Sequence, residues 1–355
     1  MVEQRPVVRR PPGRRARILD VAAGRFHRDG YHGVSMAELA AEVGITAPAL
    51  YRHFRGKPEL LLRAVESGLD ALCAALAAGD PRALAELALE RREFGTLWQR
   101  DGRLLPAGQR AVLRRRLRAA VRAASGGERE AAWWAVLSGY GSLSHHGVVL
   151  PRRRGLELLL GLRERLLAAG EAEYPAGPVG AVGPAGAGRR DELVAAATRL
   201  FHLRGFDNVS MEQLGAAVGI AGPSVYKHFG TKAALLAAVL ERGRERLRAE
   251  VLPVLAAGEA APAVAAFADF AWRERDYLGA MLSETGRPAP GEGRAAAEFR
   301  RAFVRAWVAV AAAEGEPAAE ARVRVHAMIA VAIDTARGGA NGPAAVAAYA
   351  AAALG

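Results

Sequence analysis

At 355 residues with 51% apolar side chains, the chain is long enough for two domains, and neither half is disordered by composition. The net charge of +12 is unequally shared: residues 1–175 hold 29 Lys+Arg against 19 Asp+Glu, and residues 176–355 hold 20 against 18. Attraction of a polyanion therefore falls mainly to the first half. Cys73, the single cysteine, excludes an intrachain disulfide and a cysteine metal site, and its apolar run LDALCAALAA predicts a buried structural thiol. The longest stretch without Asp, Glu, Lys or Arg, Ala131 to Pro151, contains three serines, two histidines and three glycines, which fits a buried helix better than a membrane span. With no signal-peptide core at the N-terminus, the expectation is a soluble cytoplasmic protein.

In chain order, residues 1–13 form a flexible basic arm of three arginines and three prolines, and residues 171–188 form a Gly/Pro/Ala linker without periodicity. Between and after them the same plan occurs twice. Residues 14–66 recur without a gap as residues 189–241, with 22 of 53 positions identical at an offset of 175. Each copy is followed by helix-period sequence, residues 67–170 and 242–355, broken at Gly79-Asp80-Pro81, Leu105-Pro106, Ser125-Gly126-Gly127 and Leu150-Pro151 in the first half. No segment alternates with strand period, so the fold class is all-α.

Within the first copy, Ile18, Val21, Ala22 and Phe26 share a helical face, and Gly30 is expected to end that helix in a left-handed cap. Ser35-Met36-Ala37-Glu38 is a capping box, repeated as Ser210-Met211-Glu212-Gln213. Small Ala40, Gly44 four residues later, and apolar Leu39, Val43, Ile45 and Leu50 give the spacing of a helix-turn-helix; Gly215, Gly219, Leu214, Val218, Ile220 and Val225 give it again. The trailing residues differ between copies at the start of the third helix, where Ala221 replaces the expected capping hydroxyl of Thr46 and should weaken that start by about 1 kcal/mol.

Leu50-Tyr51-Arg52-His53-Phe54-Arg55-Gly56-Lys57-Pro58-Glu59-Leu60 resembles the signature of TetR-type transcriptional regulators, and Val225-Tyr226-Lys227-His228-Phe229-Gly230-Thr231-Lys232 resembles it again. The resemblance implies two tandem units, each a three-helix DNA-binding domain followed by a helical ligand-binding and dimerisation domain. It implies that Tyr51, Lys57, Tyr226 and Lys232 hold DNA phosphates while Phe54 and Phe229 pack the modules; independently, Ser35 and Ser210 can reach a phosphate through a hydroxyl or amide, although their capping role already explains them. The lysines have independent support: the chain has 46 arginines and three lysines, yet two lysines occupy equivalent positions, which points to a compact ammonium rather than a solvated charge. Base readout is expected from Thr46, Ala47, Pro48, Ala49, Arg52 and His53 in one module and from Gly222, Pro223, Ser224, Lys227 and His228 in the other.

The resemblance further implies that 131–146 with 152–169, and 320–337 with 343–354, occupy the places of a four-helix bundle, here joining two halves of one chain as an intramolecular pseudo-dimer that is monomeric in solution. Effector-pocket candidates are Trp98, Gln99, Arg100, Trp133, Trp134, His145 and His146 in the first half, and Trp272, Arg275, Tyr277, Met281, His326 and Asp334 in the second. His145 and His146 are adjacent on one helix and cannot both face one metal, so neither a metal nor a cofactor is expected. No nucleophile–base arrangement appears, so the chain does not read as an enzyme. The leading reading is a ligand-responsive repressor on an asymmetric double-stranded operator, released by a small, lipid-derived effector. A sequence-tolerant architectural DNA binder is the alternative; a small-molecule binder or enzyme with vestigial modules is a third reading.

Overall fold

The computed structural model describes residues 13–169, 188–206, 208–284, 292–312, 315–338 and 342–355. Apart from Gly13 and Gly188, the expected arm and linker lie outside them. The first half consists of α1 (Arg14–Asp29), α2 (Met36–Val43), α3 (Ala47–His53), α4 (Lys57–Ala78), α5 (Pro81–Glu90), α6 (Phe94–Gln99), α7 (Ala107–Ala124), α8 (Glu130–Gly141) and α9 (Arg152–Ala168). Short 3-10 turns cover Asp101–Leu104 and Ser142–His145. The second half consists of α10 (Arg189–Arg204), α11 (Met211–Ala217), α12 (Gly222–Val225), α13 (Lys232–Glu250), α14 (Leu252–Ala256), α15 (Ala260–Arg273), α16 (Arg275–Glu284), α17 (Glu292–Ala311), α18 (Ala318–Arg337) and α19 (Pro343–Leu354). No strand occurs among the described residues, so the chain is all-α.

The three-helix modules are built from the same interior. Ile18, Ala22, Phe26, Met36, Leu39, Leu50 and Phe54 are buried in the first, and the residues 175 positions later, Leu193, Ala197, Phe201, Met211, Leu214, Val225 and Phe229, are buried in the second. Ser35 and Ser210 close both capping boxes, and Gly44 and Gly219, at φ 80° and 73°, turn the chain between the two helices. In each turn the amide of Ile45 or Ile220 donates to the carbonyl of Ala40 or Gly215, both at 2.9 Å. The end of α1 departs from expectation. Gly30 has a positive φ of 73° but an extended ψ of 154°, and Gly205 at the end of α10 repeats this, so the chain leaves each helix without a left-handed helical cap.

The third helices are unequal for a local reason. Thr46 caps α3 by accepting from the amide of Ala49 at 3.4 Å, whereas Ala221 offers no side-chain acceptor. Accordingly α3 runs seven residues and α12 only four, with residues 226–228 continuing as a turn. The expected boundaries at 66/67 and 241/242 fall inside α4 and α13, so each module continues into the helices that follow it through unbroken backbone.

Beyond the modules, α4, α5, α6, α7, α8 and α9 correspond in order to α13, α15, α16, α17, α18 and α19, with α14 extra. The correspondence includes a glycine in each long helix, Gly68 and Gly243, again 175 residues apart. A Cβ at Gly68 would overlap the Phe94 ring of α6, and one at Gly243 would overlap the Tyr277 ring of α16. Each α4-type helix is thus notched to seat an aromatic ring of its own half.

The two halves meet through α8, α9, α18 and α19, which pack on one another. Gly139 of α8 allows the close approach: a Cβ there would lie 3.0 Å from Leu162 of α9 and 3.6 Å from Val331 of α18. The joint is also polar. Arg154 of α9 holds Glu320 of α18 with two bonds of 3.0 and 2.7 Å, and Arg165 donates to the Ala352 carbonyl of α19 at 2.9 Å. The Asp334 carboxylate of α18 accepts from Gln99 at 2.9 Å and from Ser138 at 2.7 Å. One hydrophobic core runs through the first module and the later helices of both halves, while the second module keeps a separate core of its own, touched by Ala280 of α16.

Cys73 is half-buried rather than buried, and burial pushes its thiol pKa up, which leaves it protonated and unreactive at neutral pH.

Candidate nucleic-acid interface and ligand cavities

The third helices present their side chains unequally. Thr46, Pro48, Tyr51, Arg52 and His53 are exposed on α3, with Ala47 and Ala49 half-buried. In the second module Pro223, Tyr226 and Lys227 are exposed, and Ser224 and His228 are half-buried. Gly222 does not face outward. It is buried against α11, where an added Cβ would sit 3.1 Å from the Glu212 Cα, so its placement is a packing requirement. Tyr51 and Tyr226 are each 52% exposed, in contrast to every other large aromatic of their modules. A ring left that open twice, at equivalent positions, is not explained by packing.

The lysines are engaged within the fold. Lys57 Nζ donates to the carbonyls of Tyr31 and Val34 at 2.9 and 2.8 Å and lies 4.5 Å from the Tyr31 ring centroid. Lys232 Nζ repeats this, donating to Phe206 and Val209 at 2.8 Å each and lying 4.4 Å from the Phe206 ring. An ammonium has three donors, so two clasp the loop between the first two helices of the module and one remains. This arrangement accounts for lysine in an arginine-rich chain: one small charged atom meets two carbonyls and a ring together, which a planar guanidinium cannot do from the same stem. Burial lowers the Lys57 pKa from its ordinary value, and nearby Glu38 opposes that shift.

The capping serines are engaged as well. Ser35 Oγ donates to Glu38 Oε2 at 2.7 Å and accepts from the Glu38 amide at 3.2 Å; Ser210 Oγ accepts from the Gln213 amide at 3.2 Å. The bonds from Ser35 hold the Glu38 carboxyl below its usual range. Sequence reasoning passed over a further pair, Arg15 and Arg190. Arg15 lies 5.2 Å from the Phe54 ring centroid; Arg190 lies 4.1 Å from that of Phe229 and donates to the His228 carbonyl at 2.8 Å. The signal was the Arg-Arg dipeptide that opens both copies.

Two cavities lie behind the modules. One, of about 730 Å³, is bordered by α4 to α8, by the end of α18 and by α19, and brings Trp98, Trp134 and Tyr140 together with Gln99 and Asp334. The other, of about 1330 Å³, lies among α13 and α15 to α18 and is completed from the first half by His27, Arg100, His145 and His146. Tyr277, Met281 and His326 line this larger cavity, and Gln99 and Asp334 border both. Trp133 and Trp272 line neither. Each stacks with an arginine instead, Trp133 with Arg163 at 5.2 Å and Trp272 with Arg275 at 5.3 Å, so these expected pocket residues are structural.

The larger cavity is wired to the first module. Arg100 donates to the Phe26 carbonyl of α1 at 2.6 Å and pairs with buried Asp101 at 2.9 Å. Its histidines are neutral. His146 and His326 stack at 4.5 Å, and burial pushes them down to about 3 and about 4; the charges of His326 and Arg92 add to the first shift and those of His145 and Arg322 to the second. His146 Nδ1 accepts from the Val148 amide at 3.2 Å, which places its proton on Nε2. No group of three or more His, Cys, Asp or Glu suited to a metal occurs among the described residues. No helix there is long and apolar enough to cross a membrane.

Paired helix-turn-helix modules on an all-α body define a tandem helix-turn-helix protein. The family model for bacterial regulatory proteins of the tetR family matches residues 18–64 and again 193–239. The two modules are thus tetR-type DNA-binding domains, and the match does not extend to the helices after them. It is 39% identical over 59 residues to the HTH-type transcriptional activator FasR of Mycolicibacterium smegmatis, covering 17% of this chain and 27% of the relative. It is 39% identical over 64 residues to the HTH-type transcriptional repressor BdcR of Escherichia coli, covering 18% and 31%. An HTH-type transcriptional regulator of Staphylococcus aureus is 38% identical over 56 residues, covering 16% and 30%. The chain thus spans less than a third of the length of these curated relatives.

Proposed function

We propose that the protein is a ligand-responsive transcriptional repressor that binds double-stranded DNA through two non-identical modules of one chain, and that a small, lipid-derived effector releases it. The observation that carries this reading is the pair of exposed rings, Tyr51 and Tyr226, standing beside third helices whose surrounding exposed residues differ. The shared residues would hold phosphates and the divergent ones, Thr46, Ala49 and Arg52 against Ala221, Ser224 and Lys227, would read bases, so the operator is asymmetric. The third proton of each lysine and the guanidinium groups of Arg15 and Arg190 would add to the phosphate set. Packing of α8 and α9 on α18 and α19 supports an intramolecular pseudo-dimer, monomeric in solution.

Similar proteins include an activator and a repressor by name, and the repressor reading is the simpler one because blocking a promoter needs no contact with polymerase. The test is selection of duplexes from a random pool by the purified chain, followed by footprinting. One asymmetric site with two unlike half-sites is expected. Equal affinity for all duplexes, with steep salt dependence, would instead identify a sequence-tolerant architectural binder.

A further inference from the structure

The larger cavity belongs to neither half alone. His27 and Arg28, at the end of α1, bring the first module to its wall, and Phe206, whose carbonyl accepts from Lys232, brings the second module to the same wall. Its chemistry is one-sided. Among the described residues seven arginines line it against one carboxylate, Asp334, which is already engaged by Gln99, Ser138 and Arg337. Arg300, Arg305 and Arg322 make no ion pair or hydrogen bond among the described residues. Two buried imidazole nitrogens at the wall, His27 Nδ1 and His146 Nε2, have no hydrogen-bond partner among the described residues, and the second carries a proton to donate. Between these polar groups the wall is aliphatic and aromatic, with Leu240, Leu247, Phe267, Phe303 and Ile329.

We infer that this cavity binds an amphiphile with an anionic head and a hydrocarbon tail, and that one bound molecule is sensed by both DNA-binding modules at once. Exposed cations that ring an apolar cavity without an anion of their own attract one, so an ionised head is preferred over an alcohol of the same length. The head contacts the free arginines and the His146 N–H; the tail lies along the apolar wall. Because the α1 end and Phe206 share that wall, filling it restrains the loops that the two lysines clasp. The effector of the proposed regulator is thereby given a class and a place, so the inference rests on that function for its biological meaning but not for its test.

The test needs no DNA. Laurate, dodecyl phosphate and dodecanol are titrated into the full chain by calorimetry, below their aggregation limits. Either anion should bind at least tenfold tighter than the alcohol, and the tighter of the two identifies the head group. Dodecanol equal to both anions would overturn the assignment. Arg300→Ala with Arg322→Ala, at exposed positions that leave folding intact, should weaken the anion at least tenfold and the alcohol far less. Ala297→Trp, which fills the cavity from α17, should abolish binding; unchanged binding in that variant or in the arginine pair would overturn the site. Hydrogen exchange with the bound anion should slow in the segments around His27 and around Phe206 together. A change confined to one segment would refute shared sensing, whatever the outcome of duplex selection.

Discussion

Lys57→Arg separates two roles that a simple deletion would confuse. The substitution keeps a positive charge at the start of α4 but removes the single nitrogen that donates to Tyr31 and Val34 at 2.9 and 2.8 Å. Each charge-assisted bond contributes about 1.5 kcal/mol at the low end appropriate to a half-buried site, so losing both costs about 3 kcal/mol, of which hydration of the freed carbonyls returns part. A net loss of about 2 kcal/mol follows, or a fall in melting temperature of roughly 4–8 °C. Lys57→Met, which also loses the cation over the Tyr31 ring, should cost about 1 kcal/mol more. The assay is thermal unfolding followed by helical circular dichroism, with duplex affinity measured on the same samples well below the transition. A Lys57→Arg variant within 1 °C of the unsubstituted chain would refute the clasp and return the residue to a purely phosphate-binding role. A salt slope for duplex binding that falls by about one in Lys57→Met but not in Lys57→Arg would show that the third proton also serves a phosphate.

Tyr51→Phe and Tyr226→Phe remove hydroxyls from half-exposed rings and should leave the melting temperature unchanged while weakening duplex binding several-fold; unchanged affinity would remove the tyrosines from the phosphate set. Ala221→Thr supplies the missing cap to α12 and should stabilise the second module by about 1 kcal/mol, read as a higher urea midpoint for that module's transition. Gly68→Ala and Gly243→Ala force a methyl into the Phe94 and Tyr277 rings and should each cost about 1–3 kcal/mol, whereas stability equal to the unsubstituted chain would mean the notches are dispensable. His146 and His326 stay neutral in the fold down to about 3 and 4 but take up protons near 6.5 when unfolded, so the unfolded chain binds more protons in between. Stability should be full above that window and fall with acidity within it, by about 1.4 kcal/mol per pH unit for each ring; urea unfolding at pH 7 and pH 5 that gave equal stability would contradict the assignment.

What could be read in advance was whatever the backbone enforces locally. Ser35, Gly44 and Ile45 announce a cap, a turn and a plugged corner because neighbouring residues alone satisfy those groups, and the same holds for Ser210, Gly219 and Ile220. The lysines were legible as special but not as to purpose, since their acceptors Tyr31 and Val34 lie 26 and 23 residues earlier, out of reach of any local pattern. Side-chain type misled in the helices beyond the modules. Trp133 and Trp134 are neighbours of equal chemistry, yet only Trp134 faces a cavity, because α8 is covered on several sides and its apolar residues carry little periodicity to mark a face. Gly68 and Gly243 lie only two positions beyond the matched repeat, and their meaning depended on rings that reach them from other helices.

The joint formed by α8, α9, α18 and α19 has a consequence for gene dosage. Two separate subunits must first find each other, so at low expression the paired species falls with the square of copy number. In the proposed pseudo-dimer the partners are tethered, and folding alone would complete the joint. On that proposal any duplex gripped by both modules would be occupied in proportion to the first power of copy number, and a cell that halved its supply of the protein would halve its binding-competent population rather than quartering it.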